Sequence, residues 1–139
     1  MDAIEQFNID PLPFAKTLGI ALLTATRDRV VGEMTVREEF CTRPAVLHGG
    51  ALMAFADTLG AIGTLANLNP GDRTVTIESK TNFLAAAPLG GRLIGEASPM
   101  HRGRTTMVWQ TRIVTQQGQL VGITIQTQLV IPGVRDKQE

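Results

Sequence analysis

The stretch that most constrains the fold is residues 48–66, HGGALMAFADTLGAIGTLA. It contains no proline, and it is long enough for about five helical turns. Between Ala51 and Ala66 the only charged side chain is Asp57, and apolar or small residues occupy nearly every helical face. Because a helix that is apolar all round is typical of a protein interior, the sequence predicts a buried central helix.

Asp57 is an isolated carboxylate within this apolar helix. An unpaired buried ion is costly to desolvate, so the side chain needs a partner or access to water. One interpretation is a carboxylate that hydrogen-bonds a neighbouring backbone group or faces solvent at a chain interface. The other is a catalytic carboxylate at the floor of a cleft.

Gly49 and Gly50 stand at the predicted helix start. Neither has a side chain, so a ligand could approach their N–H groups closely, and the first N–H groups of a helix have no partner inside it. The positive end of the helix dipole lies there too, and such an end polarises a carbonyl or holds an oxyanion. The two glycines could equally serve only to turn the chain into the helix.

The spacing of Gly49 and Asp57 bears on the number of chains in a site. They are eight residues apart, which is about 12 Å along a helix axis. One substrate carbon cannot touch both residues of the same helix. If they cooperate, two helices must run antiparallel across a two-fold axis, which predicts a homodimer with two composite sites.

The remaining segments predict β-strands separated by turns. Polar and apolar side chains alternate over residues 74–83, a period typical of a strand with one polar face. Arg27-Asp28-Arg29 lies between two β-rich runs and suits a hairpin, and Pro99 indicates an edge or a bulge. The predicted strands are residues 18–26, 30–36, 74–83, 92–101, 104–115 and 120–131, of which the last three form a meander.

The order of two strands, one long helix and four further strands predicts an α+β fold, with a long central helix wrapped by a curved antiparallel sheet. The length of 139 residues and the 43% hydrophobic content suit a single domain over residues 1–139, with its core at about residues 15–131. Residues 1–17 suit a turn or two of packing helix, residues 37–47 a loop, and the chain from Gly133 a polar tail.

Composition argues against several classes of partner. Thirteen basic residues balance thirteen acidic ones, so no strong field favours nucleic acid. Cys41 is the only cysteine, which points weakly to a reducing cytosol and excludes an intramolecular disulfide and a cysteine-based metal cluster. The acidic N-terminus lacks a signal-peptide pattern, and Asp57 with the glycines argues against a membrane span. We expect a cytoplasmic protein without a membrane segment.

The motif His48-Gly49-Gly50 with Asp57 nine residues after the histidine, between two strands and a four-strand meander, resembles the hotdog-fold acyl-CoA thioesterases. The likeness is greatest to the phenylacetate-pathway (PaaI-type) group and covers about residues 15–131. It implies that the Gly49 N–H binds the thioester carbonyl. It also implies that Asp57 of the other subunit is the nucleophile or the base that activates water.

The resemblance carries further expectations. His48 supports the helix start or lies near the thioester, and the minimal unit is a dimer, with a tetramer as the larger alternative. No metal and no separate cofactor is implied, since coenzyme A is part of the substrate. Many members carry Asn or Gln six or seven residues before the histidine, where it orients water. This chain has Thr42 and Cys41 there, and Thr42 can hydrogen-bond with a shorter reach.

Two further groups are candidates for substrate contact. The phosphates of coenzyme A favour basic residues at a cleft mouth, and His101, Arg102, Gly103 and Arg104 cluster at one turn, although an ordinary solvated turn fits them equally well. Met53, Phe55, Leu59 and Phe83 are candidates to line the acyl chamber, and each is equally compatible with the core.

Two other functions remain open from the sequence. A 3-hydroxyacyl thioester dehydratase shares the fold, but the chain lacks the histidine-containing signatures of that group. A non-catalytic acyl-CoA-binding module would use the same cleft, and the replacement of Asn or Gln before His48 favours it.

Overall fold

The computed structural model describes residues 1–134. Of the predicted polar tail, residues 135–139 lie outside the described part. The elements in chain order are the helices α1 (Ala3–Ile9) and α2 (Pro13–Leu18), the strands β1 (Ala21–Ala25) and β2 (Val30–Thr35), a 3₁₀ helix (Glu38–Phe40), the short strands β3 (Cys41–Thr42) and β4 (Val46–Leu47), the long helix α3 (Gly49–Leu65), and the strands β5 (Arg73–Phe83), β6 (Arg92–Arg102), β7 (Thr106–Thr115) and β8 (Leu120–Ile131).

Six strands form one antiparallel sheet in the order β1-β2-β6-β7-β8-β5. Helix α3 contacts five of them and fills the inner face of the sheet. The predicted α+β architecture, with one long helix against a large antiparallel sheet, is confirmed. So are the β1–β2 hairpin and the meander of the last three strands.

The position of β5 differs from the four-strand meander expected in the resemblance. β5 pairs with β8 and not with β6, so it lies at the far edge of the sheet. The physical reason is the connection: residues 84–91 separate β5 from β6, which is longer than most hairpin loops. The meander therefore has three strands, and β5 is an edge strand beside its last member.

Helix α3 approaches the sheet closely because glycines face two large side chains. A Cβ atom at Gly60 would lie 2.4 Å from Cδ of Gln126, and one at Gly63 would lie 2.6 Å from Cη2 of Trp109. Neither distance is compatible with a side chain on the helix, so both positions require glycine or a shift of the neighbour. Trp109 is fully buried against the helix.

The structure gives the detail of two features that the sequence predicts, the irregularity at Pro99 and the loop 37–47. The pairing of β6 with β7 shifts register between Pro99 and His101, and β2 pairs with β6 only as far as Ala97. The bulge indicated by Pro99 is therefore present beyond the end of β2. The predicted loop 37–47 holds the 3₁₀ helix and the β3–β4 pair.

No helix within residues 1–134 is long and apolar enough to cross a membrane.

Candidate active site

The first turn of α3 leaves one backbone donor free. His48 is the N-cap residue, and its Nδ1 accepts a hydrogen bond from the Gly50 N–H at 2.8 Å. The His48 N–H itself donates to the Phe40 carbonyl at 2.8 Å. Within the described residues the Gly49 N–H has no acceptor. Of the two predicted glycine amides, Gly49 alone is therefore available to a ligand at the positive end of the helix.

The Gly49 amide lies beside an open apolar cavity of about 270 Å³. A Cβ atom at Gly49 would lie 2.9 Å from Cε1 of Phe83, so a side chain here would press on that ring. The absence of a side chain lets a ligand carbonyl reach the amide. The cavity is lined by Leu47, Gly49, Leu52, Phe83, Ala85, Ala86, Ala87 and Val121.

A second open cavity, of about 460 Å³, lies on the His48 and Gly50 side of the helix start. Cys41 contributes to its wall together with Phe14 and Phe40. Thr42 does not contribute to this cavity, and it lines a neighbouring depression together with Cys41 and Arg43. Of the two residues that stand in for the usual Asn or Gln, Cys41 is thus the one that shares a cavity with His48.

Asp57 lies in the middle of α3 and is held by side chains from two strands. Its Oδ1 accepts a hydrogen bond from Oγ1 of Thr76 at 2.6 Å and another from Nε2 of Gln126 at 3.1 Å. The same Nε2 also donates to the Asp57 backbone carbonyl at 3.2 Å. Nε2 of Gln128 donates to Oγ1 of Thr76 at 2.6 Å. Among residues 1–134 no group donates to Oδ2, so one carboxylate oxygen is held and the other is free.

Thr76, Gln126 and Gln128 were missed by the sequence reasoning. The sequence feature that could have revealed the two glutamines is the alternation of β8, which puts Thr124, Gln126 and Gln128 on one face. That polar face is the buried one, since the two glutamines are 1% and 0% exposed. The apolar face includes Ile125, which is 38% exposed.

Both parts of the predicted site lie along β5. Phe83 contacts the Gly49 position and Thr76 contacts Asp57, so α3 runs antiparallel to this strand. Two residues seven apart in a regular strand would face opposite sides. Here a register shift between Thr76 and Glu78 restores the same side. Because β5 is the last strand of the sheet, both groups stand at its open edge.

The basic turn lies at the other end of α3. Nη1 of Arg102 is 2.6 Å from Oδ1 of Asp28 and also lies within hydrogen-bond distance of the Arg27 carbonyl. Asn67, just past the helix end, is bonded to the same Arg27 carbonyl and to the carbonyl of Gly63. Within one chain the structure therefore does not bring Arg102 to Gly49. The role of His101, Arg102, Gly103 and Arg104 in binding phosphates stays a prediction.

The candidates for the acyl chamber separate into two groups. Phe83 lines the cavity at Gly49. Phe55 and Leu59 are fully buried and pack against the positions of Gly32 and Gly95 in the sheet, so they are core residues. Met53 is half-buried and lines neither cavity at the helix start.

Within residues 1–134, the one pair of opposite charges with shifted pKa values lies away from the site. The hydrogen bond from Arg29 lowers the pKa of Glu96, and the same bond raises the pKa of Arg29. Their atoms Nε and Oε1 are 2.9 Å apart, on exposed side chains. Exposed pairs of this kind contribute little to stability.

A long helix on a six-stranded antiparallel sheet, with a free amide at the helix start and a carboxylate at mid-helix, is the arrangement expected of a hotdog-fold thioester hydrolase. The chain belongs to the thioesterase superfamily, whose family model matches residues 45–122. The predicted resemblance to hotdog thioesterases of the PaaI type is confirmed by this match and by the solved structures below.

Individual relatives extend the match over most of the chain. The 1,4-dihydroxy-2-naphthoyl-CoA hydrolase of Listeria monocytogenes is 26% identical over 109 residues, which cover 78% of this chain and 88% of the relative. The crystal structure of thioesterase HI1161 from Haemophilus influenzae superposes with a TM-score of 0.89 at 26% identity, covering 99% of this chain and 96% of the other. The PaaI protein of the E. coli phenylacetic acid degradation operon gives a TM-score of 0.84 at 26% identity, covering 94% and 93%.

Proposed function

We propose that this chain hydrolyses an acyl-coenzyme A thioester to a free acid and coenzyme A, as a homodimer with two composite sites. The observation that carries the proposal is the unpaired Gly49 N–H at the start of α3, beside an apolar cavity and at the same sheet edge as Asp57. The family and the coenzyme A thioester named for the Listeria relative support the substrate class.

The Gly49 amide donates a hydrogen bond to the carbonyl oxygen of the thioester. Attack on the carbonyl carbon moves negative charge onto this oxygen, and a fixed N–H at a helix N-terminus stabilises that charge. The His48 cap on the Gly50 N–H directs the ligand to the Gly49 amide alone. The apolar cavity accommodates the acyl part of the substrate.

Asp57 acts on the carbon itself through its free Oδ2. As a nucleophile it forms a mixed anhydride and expels the coenzyme A thiolate, after which water hydrolyses the anhydride. As a general base it takes a proton from water, and the resulting hydroxide attacks while the thiolate leaves and is then protonated. The first route needs the carboxylate in contact with the carbon that Gly49 polarises, and the second needs it one water molecule away from that carbon.

A second copy of the chain brings an Asp57 carboxylate close to the Gly49 amide of the first. Gly49 and Asp57 of one helix are separated by about 12 Å. β5 is an 11-residue edge strand, and its residues Val75 and Ile77 are 47% and 55% exposed. Such an edge pairs readily with another strand. We expect two copies of β5 to pair antiparallel.

The register of this pairing follows from the two contacts along β5. A two-fold axis between Ser79 and Lys80 places Phe83 opposite the partner subunit's Thr76. Since Phe83 contacts Gly49 and Thr76 contacts Asp57, the partner subunit's Asp57 then approaches the Gly49 amide. The same axis generates the second site.

The test is thiol release from a panel of aryl and aliphatic acyl-CoA thioesters. Asp57→Asn should lower kcat on the best substrate by a factor on the order of 10²–10⁴. Asp10→Asn, at an exposed carboxylate just after α1, is the matched control and should keep the parent rate. A parent rate in Asp57→Asn would contradict the assignment.

The same assay separates the other two functions. A dehydratase would change the absorbance of an enoyl thioester without releasing thiol. A binding module would hold acyl-CoA tightly and release no thiol from any member of the panel. Either result would replace the proposal.

A further inference from the structure

Two glutamines on the core face of β8 are directed at Asp57. Gln126 and Gln128 are 1% and 0% exposed, and buried amides are costly unless they are hydrogen-bonded. Both lie beneath α3. Hydrogen bonds from their NH₂ groups lead to the same carboxylate by two routes, one direct and one through Thr76. The mechanism above uses Asp57 but gives these amides no part.

The first route is direct. The Asp57 backbone carbonyl can only accept a hydrogen bond, so the amide of Gln126 must turn its Nε2 toward Asp57. From there Nε2 reaches the carbonyl at 3.2 Å and Oδ1 at 3.1 Å. Its own Oε1 is buried without a hydrogen-bond partner in the described residues. The structure thus keeps the NH₂ group on Asp57 and leaves the amide carbonyl unsatisfied.

The second route passes through Thr76. Oγ1 of this residue accepts a hydrogen bond from Nε2 of Gln128, which leaves its single hydrogen for Oδ1 of Asp57, and both distances are 2.6 Å. Oε1 of Gln128 is in turn within 2.9 Å of the Thr74 hydroxyl. The same hydroxyl also lies 2.9 Å from the Leu129 carbonyl. Because a carboxylate oxygen can only accept, the Thr76 hydroxyl is the donor to Asp57, and this route also ends on Oδ1.

We propose that Gln126, and Gln128 through Thr76, are positioning residues that hold Asp57 by Oδ1 and present Oδ2 to the thioester. The inference rests on the proposed function and deepens it. The terminal torsion of an aspartate is soft, so an unheld carboxylate would sample many orientations. Two donors on one oxygen restrict this rotation, and an error of about 1 Å in a reacting group can lower a rate by about 10²-fold.

The absence of a side chain at Gly60 leaves room for the Gln126 amide. A Cβ atom at this position would lie 2.5 Å from Oε1 and 2.7 Å from Nε2 of Gln126. Gly60→Ala should therefore displace the amide from Asp57 although Gln126 itself is unchanged. We expect this variant to show the same kinetic defect as a direct substitution of Gln126.

The direct test is Gln126→Met, which keeps the length of the side chain and removes its donor. We expect kcat on the best acyl-CoA to fall by roughly 10- to 100-fold, with KM nearly unchanged, because Asp57 is misoriented while the substrate contacts remain. Thr124→Val is the matched control. It removes a hydroxyl that is 1% exposed on the same face of β8 and bonded to Thr81, and it should keep the parent kcat.

A double-mutant cycle separates positioning from a general packing role. In the Asp57→Asn background Gln126→Met should cause no further loss, since its effect passes through the carboxylate. An equal loss in both backgrounds would overturn the proposal. If Gln126→Met does not fold, Thr76→Val, on the exposed edge strand, removes the other donor to Oδ1 and should lower kcat with KM retained. A parent kcat in the folded variant would also overturn it.

The outcome is distinguishable from failure of the proposed function. If Asp57→Asn keeps the parent rate, the proposed function itself is wrong. If Asp57→Asn is inactive while Gln126→Met and Thr76→Val are folded and fully active, only the positioning role is wrong.

Discussion

The first turn of α3 and its third turn supply the two halves of the candidate site in different ways. At Gly49 the group is a backbone N–H, which has no acceptor inside the helix, and the His48 ring caps the neighbouring Gly50 N–H instead. At Asp57 the group is a side chain, and Thr76 and Gln126 hold it from two strands. A backbone donor is oriented by the helix itself, whereas a carboxylate needs neighbours to fix its rotation.

This difference determines how each half should respond to substitution. We expect the amide at Gly49 to tolerate most changes around it and to be lost only when the N–H is removed or covered. We expect the carboxylate at Asp57 to respond to changes at residues that do not touch substrate, such as Gln126 and Gly60.

Gly49→Pro removes the N–H at a position where proline fits. Gly49 is the first residue of the helix, and His48 has φ −62° and ψ 135°, an extended conformation that a residue before proline prefers. We expect kcat to fall by about 10²–10³-fold, the usual effect of losing one oxyanion donor. Steady-state thiol release measures it.

Gly49→Ala is the control for this substitution, because it adds the same Cβ against Phe83 and keeps the N–H. It should impair binding through the displaced ring and retain more of kcat than Gly49→Pro. Equal kcat values in the two variants would mean that the amide has no special role.

The edge of β5 should govern assembly and activity together. Val75→Glu combined with Ile77→Glu places two like charges on the exposed edge strand, and such charges oppose strand pairing. We expect a monomer that releases thiol at less than about a hundredth of the parent rate, since each site then lacks its carboxylate. Light scattering and the thiol assay on the same sample measure both properties.

Ile9→Glu is the matched control, since Ile9 is 73% exposed at the end of α1, away from β5. It should remain a fully active dimer. A monomeric β5 variant with the parent kcat would show that one chain is sufficient.

Cys41 and Thr42 should differ in their influence on substrate binding. Cys41 lines the cavity beside His48 as well as the neighbouring depression, whereas Thr42 lines the depression alone. Cys41→Leu narrows the cavity beside the helix start, so we expect kcat/KM for the best acyl-CoA to fall by about 10-fold. Thr42→Leu should lower it less, and the opposite order would contradict the placement.

The helix and the strands could be predicted because their patterns are long and regular. Residues 48–66 lack proline and carry one charge, and residues 74–83 alternate with a period of two. From the residues alone the free amide could belong to either of two glycines, and the family resemblance pointed to Gly49. The choice itself depends on the N–H from which the His48 ring accepts a hydrogen bond. That choice is a matter of side-chain geometry.

The residues around Asp57 could not be predicted, for two physical reasons. The alternation of β8 defines two faces without saying which one is buried, and the buried face here carries Gln126 and Gln128. In β5 a bulge near Ile77 changes which side chains face α3. The clustering of basic residues around Arg102 was visible, but its distance from Gly49 within one chain depends on the fold.

We propose that each site combines Gly49 of one chain with Asp57 of the other, and mixing two inactive variants would show whether the chains share a site. Asp57→Asn and Gly49→Pro are each expected to be nearly inactive alone. After the two are unfolded and refolded together in equal amounts, half of the dimers are mixed, and each contains one intact site. We expect recovery of about a quarter of the parent activity. No recovery, with mixed dimers shown to be present by mass spectrometry, would contradict it.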